Sequence, residues 1–298
     1  MSQFKSVERL SYILSYVNDH HFPSKEAIMS FIEGKDMFPT ERTFERDLKI
    51  LRDMCFIEVK YDRAKKGYQI NENSKPDFDN WIHVFELFNT ARVINETLVK
   101  SASNIEYIDF DRTAMRMDPE TLKGLLQAVI DRNIVKFNHY SFWSEKERSM
   151  AIMPHLLKQY QNRWYVYGCF PNGEFRSFGI DRIKDLEILS ESFKPKMKRP
   201  KEMFDHVIGL VYEAEKVQEV VLSYEPFQGN YIKTQLIHSS QKILVDDEKE
   251  LRIAIRVIPN YELEEQILKQ GERVTVLEPE WLRKQIKDRI KNSLEKYN

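Results

Sequence analysis

The 298-residue chain is poor in glycine, with nine, has two cysteines, a formal charge of only −1 and no long apolar run. Each shortage excludes something. With few glycines and none gathered in a loop after a strand, neither a phosphate-cradling P-loop nor a dinucleotide fingerprint can be built. G-x-S-x-G and H-E-x-x-H do not occur, and His20-His21 falls in a connection between helices. Cys55 and Cys169 stand far apart without a histidine or second cysteine at ligand spacing, so no metal site is expected and the thiols read as buried and reduced. No segment approaches about 18 uninterrupted apolar residues, and MSQFKSVERLSYIL has no signal-peptide core. The expectation is a soluble, cytoplasmic protein without a membrane partner or cofactor. Near-neutral charge requires any basic footprint to be local.

What is present is 42% hydrophobic and 12% aromatic residues, enough for two or three cores. Val7, Leu10, Ile13, Leu14 and Val17 repeat at helical spacing. Ser24 is placed to cap a second helix ending at Gly34, and Thr40 a third with Phe44, Leu48 and Leu51 inside. The outer face of that third helix carries Arg42, Thr43, Arg46 and Lys49, side chains able to reach phosphates and base edges from a major groove. Asp47, among them, orients Arg46 or fastens the helix internally. Ile57, Val59 and Tyr61 then alternate, and a basic turn with Arg63, Lys65 and Lys66 leads to Tyr68 and Ile70. An arginine face alone is commonly solvated surface. Three helices followed by a basic-tipped hairpin point instead to double-stranded DNA, one helix in the groove and the hairpin on the backbone. TERTFERDLKIL resembles the recognition helix of winged helix-turn-helix regulators, and IEVKYDRAKKGYQI their wing, except that Met54-Cys55-Phe56 stands where many relatives have a glycine.

Asn71 to Pro76 reads as a polar break, followed by one long apolar helix from Trp81 to Val99. Burial within one chain and burial against a second copy both remain open for it, and a homodimer suits a reader of two half-sites. Ile105 to Phe110 alternates as a strand. Glu106, Asp109 and Asp111 there are the only support for an alternative, a metal-dependent nuclease or hydrolase.

Pro119 opens a helix, and short strand-like runs follow, with Pro171-Asn172-Gly173 turning a hairpin between RWYVY and EFRSFGI. Two separate strands are expected over 149–153 and 155–160. Pro154, Trp164-Tyr165-Val166, Arg176 and Asp181-Arg182-Ile183 resemble the signature of WYL-domain bacterial transcriptional regulators, with Val166 in place of the namesake leucine. The resemblance implies a small SH3/Sm-like β-barrel whose polar and aromatic positions line a ligand pocket. The matching positions here are Tyr140, His155, Trp164, Tyr165, Arg176, Asp181 and Arg182. Two arginines beside aromatic rings suit an anionic effector with a flat group, a nucleotide or short single-stranded nucleic acid. Each has a plainer reading: Trp164 as core, His155 as a satisfied turn histidine, Arg182 as the partner of Asp181 or Asp185.

Lys194 to Lys201 forms a basic, proline-punctuated linker. Beyond it, strand and helix patterns alternate as βαββαβ with a closing helix, a ferredoxin-like order. ELEEQILKQGERVTVLEPEWL resembles the C-terminal extension that follows WYL barrels. The expected fold is therefore α+β and multidomain: a winged helix-turn-helix over 1–71, a helical linker or dimerisation segment over 72–117, the WYL barrel over 118–193 and the extension domain over 202–298. The expected function is a non-enzymatic, ligand-responsive transcriptional regulator.

Overall fold

A computed structural model of the protein describes residues 2–101, 106–107, 117–142, 145–196, 203–212 and 216–298. Of the strand expected over 105–110 only Glu106 and Tyr107 are described, in a helical turn; Asp109 and Asp111 lie outside the described residues, as does the linker from Met197 to Lys201. The chain is α+β with antiparallel sheets and divides into two compact units, Met1–Phe110 and Asp111–Asn298.

The first unit begins with α1 (Ser2–Asp19), α2 (Lys25–Glu33) and α3 (Glu41–Cys55). Ser24 and Thr40, both extended, cap α2 and α3 by accepting from the Ala27 and Thr43 amides, each at 3.2 Å. Leu10, Ile13, Leu14, Ile28, Ile32, Phe44 and Leu51 close a common core. The hairpin β1 (Val59–Asp62) and β2 (Gly67–Ile70) follows, antiparallel from Val59↔Ile70 to Asp62↔Gly67. It is fastened to the α1–α2 connection. A Cβ on Gly67 would lie 1.9 Å from the Phe22 carbonyl oxygen, and the Tyr68 amide donates to Pro23 at 2.8 Å. Where α3 ends without a glycine, Phe56 takes the left-handed conformation at φ 58° and remains exposed.

The fourth helix, α4 (Lys75–Lys100), begins six residues before Trp81. Pro76 sits in its first turn, where a missing amide hydrogen costs nothing, so a dipeptide that reads as a break is a helix start. Phe78, Trp81 and Phe85 join the core of α1–α3, the Asn89 amide donates to the Ser11 hydroxyl at 3.3 Å, and Arg92 pairs with Glu8 at 2.7 Å. α4 and the three helices before it therefore lie in one compact unit.

In the second unit α5 (Pro119–Asp131) is capped by Asp118, which accepts from the Glu120 and Thr121 amides. Five strands follow: β3 (Asn133–Ser141), β4 (Lys146–Tyr160), β5 (Arg163–Cys169), β6 (Phe175–Gly179) and β7 (Ile183–Ser192). They pair in the order β6-β5-β4-β3-β7, antiparallel throughout. The two strands expected on either side of Pro154 are one strand, β4. Its first half pairs with β3 and its second with β5, and the register slips by one residue between Pro154↔Gly168 and Leu156↔Tyr167. His155 is the extra residue. A bulge there bends the strand, so that the sheet curves around Val135, Phe137, Ile152, Val166 and Phe178, with Leu125 and Ala128 of α5 packed against them. Among the described residues the edge strands β6 and β7 do not pair, so hydrogen bonding leaves the barrel open.

The rest of the unit runs β8 (Gln218–Tyr224), α6 (Pro226–Thr234), β9 (Lys242–Asp246), β10 (Leu251–Val257), α7 (Tyr261–Lys269), β11 (Val274–Glu278) and α8 (Glu280–Glu295). The sheet order is β11-β8-β10-β9, antiparallel, over a core of Val220, Leu222, Ile253, Ile255, Leu263 and Leu282. Tyr167 of β5 packs with Phe204, Val207 and Ile258, so the segments over 118–193 and 202–298 share apolar packing within one compact unit.

A polar clamp holds the connecting segment. The buried Glu262 carboxylate accepts from the Leu210 amide at 2.9 and 2.8 Å and from Val211 at 2.8 Å. Asn260 caps α7 through the Leu263 amide and donates to the Ile208 and Val211 carbonyls at 2.9 and 3.0 Å. Gly209 makes the approach feasible: at φ +84° it carries no Cβ, which would lie 2.2 Å from the Glu262 carboxyl carbon.

Candidate functional site

Two groups of residues were expected to carry function, one in each unit. In the first, α3 is amphipathic, burying Phe44, Asp47, Leu51 and Cys55 and exposing Arg42, Arg46 and Lys49. Thr40 and Thr43 are engaged with each other at the helix start, their hydroxyls 3.0 Å apart. Asp47 does not orient Arg46. It is fully buried and bound on both oxygens by Arg9 of α1, with the Arg9 Nη2 donating at 2.9 Å. The inner face of α3 is thereby locked to α1, leaving the basic outer face to solvent. Arg63 and Lys66 are exposed at the hairpin tip, shaped by Asp62, whose carboxylate accepts from the Ala64 and Lys65 amides. Lys65 lies 4.0 Å over the Phe22 ring, tying the tip to the loop before α2.

In the second unit the seven expected ligand residues divide by strand alternation. Trp164 and Val166 face the α5 core, whereas Tyr165 and Tyr167 leave on the other side. Trp164 is thus partly buried core. His155 is buried in the β4 bulge, its Nδ1 2.7 Å from the Met153 carbonyl oxygen and its ring between Phe175 and Phe193. Burial pushes its pKa down. Arg176 is exposed and held by Glu174, Nε to Oε1 at 2.7 Å, with its guanidinium 5.6 Å from the Phe170 ring. These residues line an open depression of about 370 Å³ with Pro171 and Asn172.

Asp181 and Arg182 form a turn at the opposite end of an aromatic row, Phe170 to Phe178 at 5.8 Å and Phe178 to His139 at 5.3 Å. Arg182 does not pair with Asp185, which accepts from Asn138 at 2.9 Å. Its Nη1 reaches the Tyr140 carbonyl oxygen at 3.5 Å, and its guanidinium lies 4.5 Å over Phe142. Tyr140 itself is exposed and alternates to the outside of β3, while its neighbour His139 points inward with Val135 and Phe137.

His139 and Phe142 are functional candidates that the sequence alone did not single out. His139 had a signal, its place in the period-two series Val135, Phe137, His139. Desolvation, with the nearby Arg182 charge, lowers its pKa to about 4, so the ring is neutral at physiological pH. Among the described residues no group of His, Cys, Asp and Glu is arranged to hold a metal ion, and no helix is long and apolar enough to cross a membrane.

Comparison with known proteins places family names on these regions. Residues 120–188 match the WYL domain and residues 216–294 the WCX domain. An uncharacterized HTH-type transcriptional regulator, YobV of Bacillus subtilis (strain 168), is 25% identical over 196 residues, covering 62% of this chain and 58% of the relative. The match thus spans little more than half the relative's length. Among solved structures, proteasome accessory factor B/C (PafBC) of Arthrobacter aurescens is 17% identical with a TM-score of 0.33, covering 95% of this chain and 45% of that one. A CRISPR Cas-related protein is 12% identical with a TM-score of 0.38, covering 100% and 86%. The WYL signature is seated on β4, β5, β6 and the turn after it, and the WCX match follows, so the chain carries a segment similar to the WYL domain over 120–188 and one similar to the WCX domain over 216–294.

Proposed function

We propose that the protein is a transcriptional regulator that reads double-stranded DNA with a winged helix-turn-helix built from α1–α3 and the β1–β2 hairpin. The observation that carries this reading is the division of α3: Phe44, Asp47 and Leu51 locked inside, Arg42, Arg46 and Lys49 outside, with Arg63 and Lys66 on the adjoining hairpin. A rigidly held helix with a free basic face is suited to the major groove, the hairpin to the neighbouring backbone. The protein acts without catalysis, as a homodimer on two half-sites. The α4 residues Val84 and Leu87, 49% and 54% exposed, offer apolar surface for a second copy.

The WYL domain takes an anionic effector, a nucleotide or short single-stranded nucleic acid. Arg176 and Arg182 stand at the two ends of the Phe170–Phe178–His139 row, a charged and aromatic combination suited to phosphates and bases. Regulation requires the effector to bind two arrangements of the protein with different affinity.

Fluorescence anisotropy on the DNA upstream of the protein's own gene tests the DNA reading, with wild type and Arg42→Ala/Arg46→Ala compared at two salt concentrations. Saturable, sequence-dependent binding is expected, weakened in the variant by about 1–3 kcal/mol for each arginine that reads a base edge. Equal binding by both proteins, or to scrambled DNA, contradicts it.

A further inference from the structure

Three buried side-chain atoms at the Arg182 end of the row have no hydrogen-bond partner among the described residues: Nε2 of His139, Oδ2 of Asp181 and Nε of Arg182. They belong together. The charges of Arg182 and Asp181 both bear on His139, which is 6% exposed, and a Cβ on Gly179 would lie 2.7 Å from the Asp181 Oδ1 and 3.1 Å from the Arg182 Nε. The backbone of β6 therefore closes over the pair. Phe178 walls the site edge-on to the His139 ring, and Phe142, 60% exposed beneath the Arg182 guanidinium, marks its mouth.

A buried polar atom left unpaired forfeits its bonds to water and gains none in return, so three at one place are a burden that a purely structural core would shed. The chemistry of the set narrows what completes it. A phosphate would satisfy Arg182 but oppose Asp181, and a cation would reverse the conflict. Asp181 supplies an acceptor, Arg182 a donor, and His139 a ring nitrogen that accepts or donates according to its tautomer. Their complement is an uncharged edge with a donor beside an acceptor, which every nucleobase carries.

We infer that His139, Asp181 and Arg182 form a base-reading subsite, in which His139 determines specificity by hydrogen bonding to the edge of a nucleobase that enters past Phe142. The inference rests on the proposed nucleic-acid effector and adds to it the part that is read. Phosphates remain with Arg176 and the exposed side of the Arg182 guanidinium.

The test uses the full chain in the Arg42→Ala/Arg46→Ala background, so that the α3 face does not bind the probe. Anisotropy compares a fluorescein-labelled ten-nucleotide mixed-sequence single strand with an abasic strand of equal length and charge. The parent should prefer the base-bearing strand by about tenfold or more, the scale of one well-made hydrogen bond to a buried group. His139→Phe, which keeps a ring among Phe137 and Phe178, should bring binding down to the abasic level while leaving the abasic affinity unchanged. Asp181→Asn should likewise abolish the preference for the base-bearing strand, with the lost negative charge strengthening the binding of the abasic strand. Circular dichroism confirms folding, and the partly exposed Asp181 provides a second variant should His139→Phe fold poorly. Equal affinity of the parent for both strands overturns the subsite and leaves the anionic effector standing. Binding of neither strand overturns the single-strand effector and the subsite with it. Discrimination retained in both variants removes His139 and Asp181 from base reading.

Discussion

Two polar clusters of the second unit, one around Glu262 and Asn260 and one around His139, Asp181 and Arg182, end in opposite states. Around Glu262 and Asn260 the polar atoms meet backbone partners: the carboxylate takes the Leu210 and Val211 amides, and the amide side chain bridges Ile208, Val211 and Leu263. Around His139, Asp181 and Arg182 three buried atoms have no hydrogen-bond partner among the described residues. A satisfied cluster fixes geometry, since its directional bonds are complete without a ligand. An incomplete one sacrifices stability and keeps hydrogen-bonding capacity for something else. The Arg9–Asp47 pair belongs with the first kind, holding α3 in place while its basic face stays outside.

This contrast can be broken by substitution, and the largest effect is expected in the first unit. Arg9→Ala leaves the fully buried Asp47 carboxylate unpaired and should cost about 3–5 kcal/mol in chemical denaturation. Arg9→Met combined with Asp47→Leu should recover most of that loss, because both charges are then gone. If Arg9→Ala were silent, the pair would not be what locks α3.

Next in size, Glu262→Ala strips the Leu210 and Val211 amides of their acceptor and should lower stability by about 1–3 kcal/mol. His139→Phe should act in the opposite direction, raising stability by about 1 kcal/mol by removing an unsatisfied nitrogen from an aromatic surrounding. A loss from His139→Phe as large as that from Glu262→Ala would erase the distinction between the clusters.

The same histidine gives a pH signature. Its folded pKa, about 4, lies below the ordinary value of 6.5, so the unfolded chain binds the proton first. The stability tied to neutral His139 is complete above pH 6.5 and is lost as pH falls toward 4. His155 and His238 shift in the same direction, and burial raises Glu262. The difference between wild type and His139→Phe across that window therefore isolates His139, and the variant should show the shallower decline.

The smallest effect belongs to Phe56. Its left-handed conformation ends α3 where glycine is the usual solution, so Phe56→Gly should stabilise by about 0.5–1 kcal/mol in thermal unfolding. A destabilisation would mean that the packing of the exposed ring outweighs the strain.

How far the sequence carries differs between local and non-local features. Ser24 and Thr40 were legible as caps because an N-cap is decided within four residues, and the period of the flanking apolar positions agreed. Pro76 and Pro154 misled for a common reason: proline marks a missing donor, yet a helix start and a bulged strand both tolerate one. The alliance of α4 with α1 depends on pairs such as Asn89 with Ser11, far apart in sequence, which no local pattern reveals. At the site, the family signature led to Tyr140, while strand alternation, followed one residue back, leads to His139. That His139, Asp181 and Arg182 retain atoms unpaired among the described residues is a property of packing alone.

The most direct test of the base-reading subsite is calorimetric unfolding of wild type and His139→Phe, each with and without the ten-nucleotide single strand. The variant is predicted to melt above wild type when unliganded and to keep only the smaller upward shift that an abasic strand gives wild type. A variant that melts lower and responds to the strand as fully as wild type would contradict this, making His139 part of the core and leaving base reading to other residues.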